Sequence, residues 1–261
     1  MPEAAGLYFE QHGRSDAPPL ILSSGLGGSA SYLAPNIPAL AEHFRVIAYD
    51  HRGTGRSDRA LPDVVKVDDF ADDILLLMNA LHIRTAHLVG HAAGGVAGLN
   101  LALKAPERLK SLVAINSWSK ADPHFLRCFE ARLNLLRHAG VEAFLRAQPI
   151  FLYPPDWISE HTTELDTELP HQLADFPGVE TMEKRIAALA AFDIDDRLDE
   201  ISSNVFLISG GLDMLVPPRC SGRLANGIAH AWHQQLSFEG HALNVTAPDD
   251  FDEMVMNYFG G

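Results

Sequence analysis

Residues 86–105 tie an apolar run straight to a segment of small residues through Gly90-His91-Ala92-Ala93-Gly94, with no loop between them. Leu88-Val89 reads as part of a buried strand, and residues 93–105 as a helix that stops before Pro106. A strand that turns into a helix within a few residues brings two backbones together, and glycines at 90 and 94 permit that approach. Such a joint suits a sheet whose strands each lead into a covering helix.

The rest of the chain repeats the pattern. Strand-like runs fall at "PLILSS" (19–24), "RVIAYD" (45–50), "TAHLVG" (85–90), "LKSLVAIN" (109–116), "NVFLISG" (204–210) and "HQQLSF" (233–238). Helical spacing of apolar residues marks 67–82, and further helices are expected near 218–228 and 248–259. Strands alternating with helices predict an α/β fold, a mainly parallel twisted sheet with helices on both faces. The alternation is interrupted once: from Trp118 to Phe192 the chain reads as mostly helical, broken by "QPIFLYPPDW" (148–157). The expected organisation is a core of residues 1–117 and 193–261, with 118–192 as a helical cap over the carboxyl ends of the strands. Ligands of open α/β sheets bind at that edge.

Charge narrows the partners. Twenty basic residues against 34 acidic give a net charge of −14, which argues against nucleic acid and anionic membranes. No apolar run has signal-peptide flanks or the length of a spanning helix, so a cytoplasmic protein is expected. Cys128 and Cys220 form no CxxC pair and are expected to be reduced and buried. A small-molecule substrate is the expected partner, with a homodimer left open.

Four loops at strand ends carry the chemistry. Ser24-Gly25-Leu26-Gly27-Gly28 places backbone N–H groups where they can face an oxyanion. Gly90–Gly94 has the G-x-nucleophile-x-G frame, in which a sharp turn exposes one reactive side chain, yet its centre, Ala92, carries only a methyl. Asp213 follows the strand at 204–210, and His241 follows the last strand. Each has a plainer reading: a glycine turn, a helix cap for Asp213 near Pro217, one of 13 histidines. Their order and their shared position at strand ends favour a catalytic site.

These residues resemble the α/β-hydrolase superfamily over essentially the whole chain. Within it the chain is similar to the RutD family of pyrimidine (uracil) utilisation, through "SGLGGS" (24–29), "YDHRGTG" (49–55), "VGHAAG" (89–94), "RCFEARLNLLRHAG" (127–140), "AQPIFLYPPDW" (147–157), "LVPPRCS" (215–221) and "GHALNVTAP" (240–248). The resemblance implies a hydrolase that releases ammonia from a small C–N substrate, either carbamate or aminoacrylate. It also implies that alanine belongs at position 92; an engineered serine-to-alanine change, and so a serine hydrolase, is the alternative.

Without a nucleophile, hydrolysis needs an activated water. His241 oriented by Asp213 is the expected base, with the N–H groups of Leu26 and Ala93 as oxyanion hole. His91, beside the elbow centre, is expected to point elsewhere and serve structurally. Ser24, Gly25, Trp118 and Tyr153 are candidate substrate-binding residues. Arg127, or Arg132, is the candidate partner for an anionic substrate. No metal-ligand cluster and no phosphate or dinucleotide loop is present in the pattern, so neither metal nor cofactor is expected. A cofactor-independent dioxygenase and a non-catalytic binding protein on the same fold remain as alternatives.

Overall fold

The computed structural model describes residues 3–260. An eight-stranded sheet has the order β1-β2-β4-β3-β5-β6-β7-β8. Its strands are β1 (Glu3–Ala4), β2 (Leu7–His12), β3 (Pro19–Ser23), β4 (Arg45–Tyr49), β5 (Ala86–His91), β6 (Leu109–Ile115), β7 (Asn204–Gly210) and β8 (Ala231–Leu236). From β4 through β8 the pairing is parallel, and β2 joins β4 antiparallel. The β1–β2 hairpin is absent from the sequence reading, because its short, half-buried strands lack the continuous apolar run of the central ones. β8 lies two residues earlier than expected.

The helices are α1 (Ile37–Ala41), α2 (Val67–Ala80), α3 (Ala93–Lys104), α4 (Pro123–His138), α5 (Val141–Leu152), α6 (Pro155–Glu160), α7 (Thr162–Ala174), α8 (Val179–Ala191), α9 (Arg219–Gly227), α10 (Leu243–Thr246) and α11 (Pro248–Gly260). Alternate strand residues feed two cores. Ile21, Ile47, Leu88, Leu112 and Leu207 pack with α2, α3 and α9 on one face. Leu20, Leu22, Val46, Val89, Val113 and Phe206 pack with α1 and α11 on the other. The period-two alternation of side chains makes both faces apolar, so a central strand reads as one unbroken hydrophobic run.

The segment between β6 and β7 holds α4 to α8. Asp122 starts α4 by accepting the His124 N–H at 2.8 Å, with Pro123 in the first helical position. Prolines of "QPIFLYPPDW" do not break the helix where they begin: α5 runs through Pro149 to Leu152 and ends before Tyr153-Pro154. No helix among the described residues is long and apolar enough to cross a membrane.

Candidate active site

The turn from β5 into α3 is strained at its centre. Ala92 has φ 46° and ψ −104°, a region L-residues seldom enter, at a cost of about 1–3 kcal/mol. Glycines hold the turn closed: a Cβ on Gly94 would sit 2.1 Å from the Ser23 carbonyl oxygen, and one on Gly90 would strike the Gly94–Gly95 peptide at 2.5 Å. Ala92 donates its N–H to the Ile115 carbonyl at 2.8 Å, which ties the elbow to β6. Among the described residues the N–H groups of Leu26 and Ala93 find no acceptor, and both residues line the same cavity as Ala92.

Asp213 lies in the turn after β7 and uses its two oxygens separately. Oδ1 accepts the N–H groups of Leu215 and Val216 at 2.7 and 2.8 Å, and Oδ2 accepts from His241 Nδ1 at 2.7 Å. Asp213 does not cap the helix near Pro217, since α9 begins at Arg219 with no side-chain cap; it closes the turn before it and bonds His241. With Nδ1–H given to Asp213, the Nε2 of His241 carries the free lone pair. The backbone of His241 is fixed as well: its carbonyl accepts from Asn116 Nδ2 at 2.6 Å and from His91 Nε2 at 2.8 Å. Asn116, just past the end of β6, also accepts the Gly210 N–H through Oδ1 at 2.9 Å, so one amide joins three strand ends. Sequence reasoning missed Asn116; its signal was a polar residue ending an apolar strand at the sheet's ligand edge.

His91 does not point elsewhere. Its ring lies edge-on to that of His241 with centroids 4.7 Å apart, and it lines the cavity. Burial, and then the neighbouring His241, push its pKa down to about 3, so it is neutral and donates from Nε2. Gly25 is required beside it, because a Cβ there would come within 2.9 Å of Nδ1. Tyr32, in the 3-10 helix Ala30–Asn36 after β3, packs on the same ring at 4.8 Å.

The cavity measures about 480 Å³ and runs between the strand ends and the inserted helices. Ser24, Gly25, Leu26, Ala92, Ala93, Trp118, Tyr153 and His241 all line it, with Asp213 behind His241. Arg127 is not among them: it is exposed on α4. Arg132 is 3% exposed and lines the cavity instead. Five helical residues are about 140° apart around the axis, so the two arginines face different ways. Gln148 bonds Arg132 Nη2 at 3.1 Å.

A second buried arginine, Arg185 on α8, reaches from the inserted helices into the core. It donates to the Leu26 carbonyl from Nε at 3.0 Å and to His51 Nδ1 from Nη2 at 2.9 Å. No sequence signal marked it. Among the described residues no cluster of His, Cys, Asp and Glu is arranged to hold a metal ion, and both cysteines are free and buried.

The α/β hydrolase fold family matches residues 18–248. A protein named "Putative carbamate hydrolase RutD" from Caulobacter vibrioides is 50% identical over 98% of this chain and 96% of its own. The chain belongs to the RutD family of α/β-hydrolases. Its namesake from Agrobacterium fabrum is 47% identical over 97% of both chains. Among solved structures, the enol-lactonase from Burkholderia xenovorans LB400 superimposes with a TM-score of 0.89 at 26% identity, over 99% of this chain and 98% of that one. The RutD family and the α/β-hydrolase fold expected from the sequence are thus both found.

Proposed function

We propose that this chain is a hydrolase of pyrimidine catabolism that releases ammonia from a small anionic C–N substrate, carbamate or aminoacrylate. The names of its RutD relatives support the substrate class. The observation that carries the mechanism is the buried His241–Asp213 pair, 2.7 Å apart, in the same cavity as an elbow centred on alanine.

Where a serine hydroxyl would form a covalent intermediate, the methyl of Ala92 forms none, and water attacks directly. His241 Nε2 takes one proton from water as its oxygen adds to the carbon bearing nitrogen. Asp213 holds the ring in the required tautomer and balances the imidazolium that forms. The same proton then passes to the departing nitrogen, which leaves as ammonia. Leu26 and Ala93 N–H groups stabilise charge developing on the substrate. Ser24, Gly25, Trp118 and Tyr153 shape the pocket, residues 118–192 act as a cap on the core of 1–117 and 193–261, and the setting is cytoplasmic.

Three proteins assayed side by side test this reading: the chain itself, His241→Ala and Ala92→Ser. Ammonia release from carbamate or aminoacrylate is expected from the first and is expected to fall by about 10²–10⁴-fold in His241→Ala. Ala92→Ser is expected to gain cleavage of p-nitrophenyl acetate, since the other two triad members are in place. Ammonia release that survives loss of His241 unchanged would overturn the water-activating dyad.

A further inference from the structure

Six buried side-chain nitrogen or oxygen atoms lack a hydrogen-bond partner among the described residues, and four belong to residues of one cavity: Ser24 Oγ, His91 Nδ1, Trp118 Nε1 and Arg132 Nε. Buried polar atoms are rarely left unpaired, and a cluster of them marks where a ligand completes the bonding. Arg132 is the charged member. No carboxylate of the described residues lies within ion-pair distance of it, and its one side-chain hydrogen bond goes to neutral Gln148. Glu168, which also lines the cavity, is exposed and makes no ion pair with it.

Burial pushes Arg132 down to about 10, so the guanidinium is still charged at neutral pH. The rings of Phe129, Phe144 and Phe151, 4.9–5.5 Å from its centre, offset part of the desolvation but supply no negative charge. A buried cation with only this company costs stability, and a fold keeps it for a ligand that supplies the anion.

We propose that Arg132, seated against Gln148, is the carboxylate-binding residue of the cavity, and that the substrate's carboxylate is held there apart from the carbon that His241 attacks through water. The neighbours of the guanidinium, Phe129, Phe144, Phe151 and Gln148, all come from α4 and α5. The residues that hold His241, Asp213 and His91 against its ring and Asn116 on its carbonyl, all come from the strand ends. Arg132, Gln148 and Phe129 from the one wall and His91 and His241 from the other line the same cavity of about 480 Å³. In carbamate the carboxylate carbon is itself the reacting carbon, so one group would have to meet both walls at once. A short carboxylic acid with its C–N carbon further along the chain meets them separately. This assignment rests on the hydrolase reading above for the reacting end, while the anion site itself is testable without turnover.

Binding of propionate and of propionamide, its neutral counterpart, is measured by ligand-observed NMR titration on the intact chain, Arg132→Met, Arg132→Lys and His241→Ala. Propionate is expected to bind the intact chain and His241→Ala alike, and at least tenfold more tightly than propionamide. Arg132→Met is expected to reduce propionate to the level of propionamide, with Tm unchanged or raised; Arg132→Lys is expected to keep part of the preference. Equal affinity for the two probes, or no propionate binding to the intact chain, overturns the assignment. So does full propionate preference in Arg132→Met, or in Arg132→Lys with a loss of Tm. A dead His241→Ala enzyme that still prefers propionate, or a live one that does not, separates the anion site from the hydrolytic mechanism.

Discussion

Arg132 and Arg185 both come from the helices between β6 and β7, and both are buried, yet they are used in opposite ways. Every nitrogen of Arg185 has an acceptor: the Leu26 carbonyl, the Arg52 carbonyl and His51 Nδ1 accept from it, and its guanidinium lies 4.9 Å from the Phe70 ring. Each acceptor lies between β3 and α2, so the arginine fastens α8 to the loop that carries the Leu26 N–H. Arg132 leaves Nε unpaired and faces the cavity. The same side chain, equally dry, is a strap where protein acceptors surround it and a binding group where they do not. The difference lies in hydrogen-bond satisfaction rather than in burial or charge.

The largest effect expected from this contrast is on stability. Arg185→Met orphans the Leu26 carbonyl and His51 Nδ1, each worth about 1–3 kcal/mol when left unpaired in the interior, so a loss of about 3 kcal/mol is expected by urea unfolding. The same replacement at Arg132 is expected to fall within about 1 kcal/mol of the parent or to stabilise it, because it removes an uncompensated buried charge. Equal losses at the two sites would break the comparison and make Arg132 a second strap.

A middle-sized effect follows from pH. His51 accepts from Arg185, passes its Nε2–H to Ser23, and burial followed by the adjacent Arg185 holds its pKa well below the ordinary histidine value. An unfolded histidine takes up a proton near pH 6.5, which the folded His51 refuses. Stability is therefore full above about pH 6.5 and falls as pH drops below it, by up to about 1.4 kcal/mol per pH unit for this residue. His91 and His87, pushed down to about 3 and 4 by burial, add slopes of the same sign. His51→Gln, whose amide can replace both bonds, is expected to flatten the decline between pH 6 and 5 by about one histidine's share. Arg132→Met is expected to leave that slope unaltered.

The elbow at Ala92 and the His241–Asp213 pair were legible as neighbours because their signals are local. Ala92, Asp213 and His241 each follow a recognisable strand, and their order along the chain needs no knowledge of packing. The two arginines were not equally hidden. Phe125, Cys128, Phe129, Arg132 and Leu136 form the buried stripe of α4 at helical spacing; the sequence reading leaves Arg127 and Arg132 as alternatives and does not use that stripe to choose between them. Arg185 offered no such clue to its partners, because His51 is 134 residues away and meets it only in the folded chain. The β1–β2 hairpin escaped for a related reason: an edge pair gains its burial from neighbours that short sequence windows do not include.

The smallest effect tests whether the distinction between satisfied and unsatisfied groups extends beyond arginine. Trp118 is buried, its ring packs 4.6 Å from that of Phe125, and its Nε1–H has no acceptor among the described residues. Trp118→Phe gives up some apolar contact but also removes an orphaned donor, two changes of opposite sign that leave stability within about 1 kcal/mol of the parent. If that N–H completes its bonding on the substrate, KM for ammonia release rises severalfold in Trp118→Phe while kcat holds. A stability loss of about 3 kcal/mol with KM unmoved would make Trp118 a packing residue, and the inserted helices would then meet the ligand through Arg132 and its amide neighbour alone.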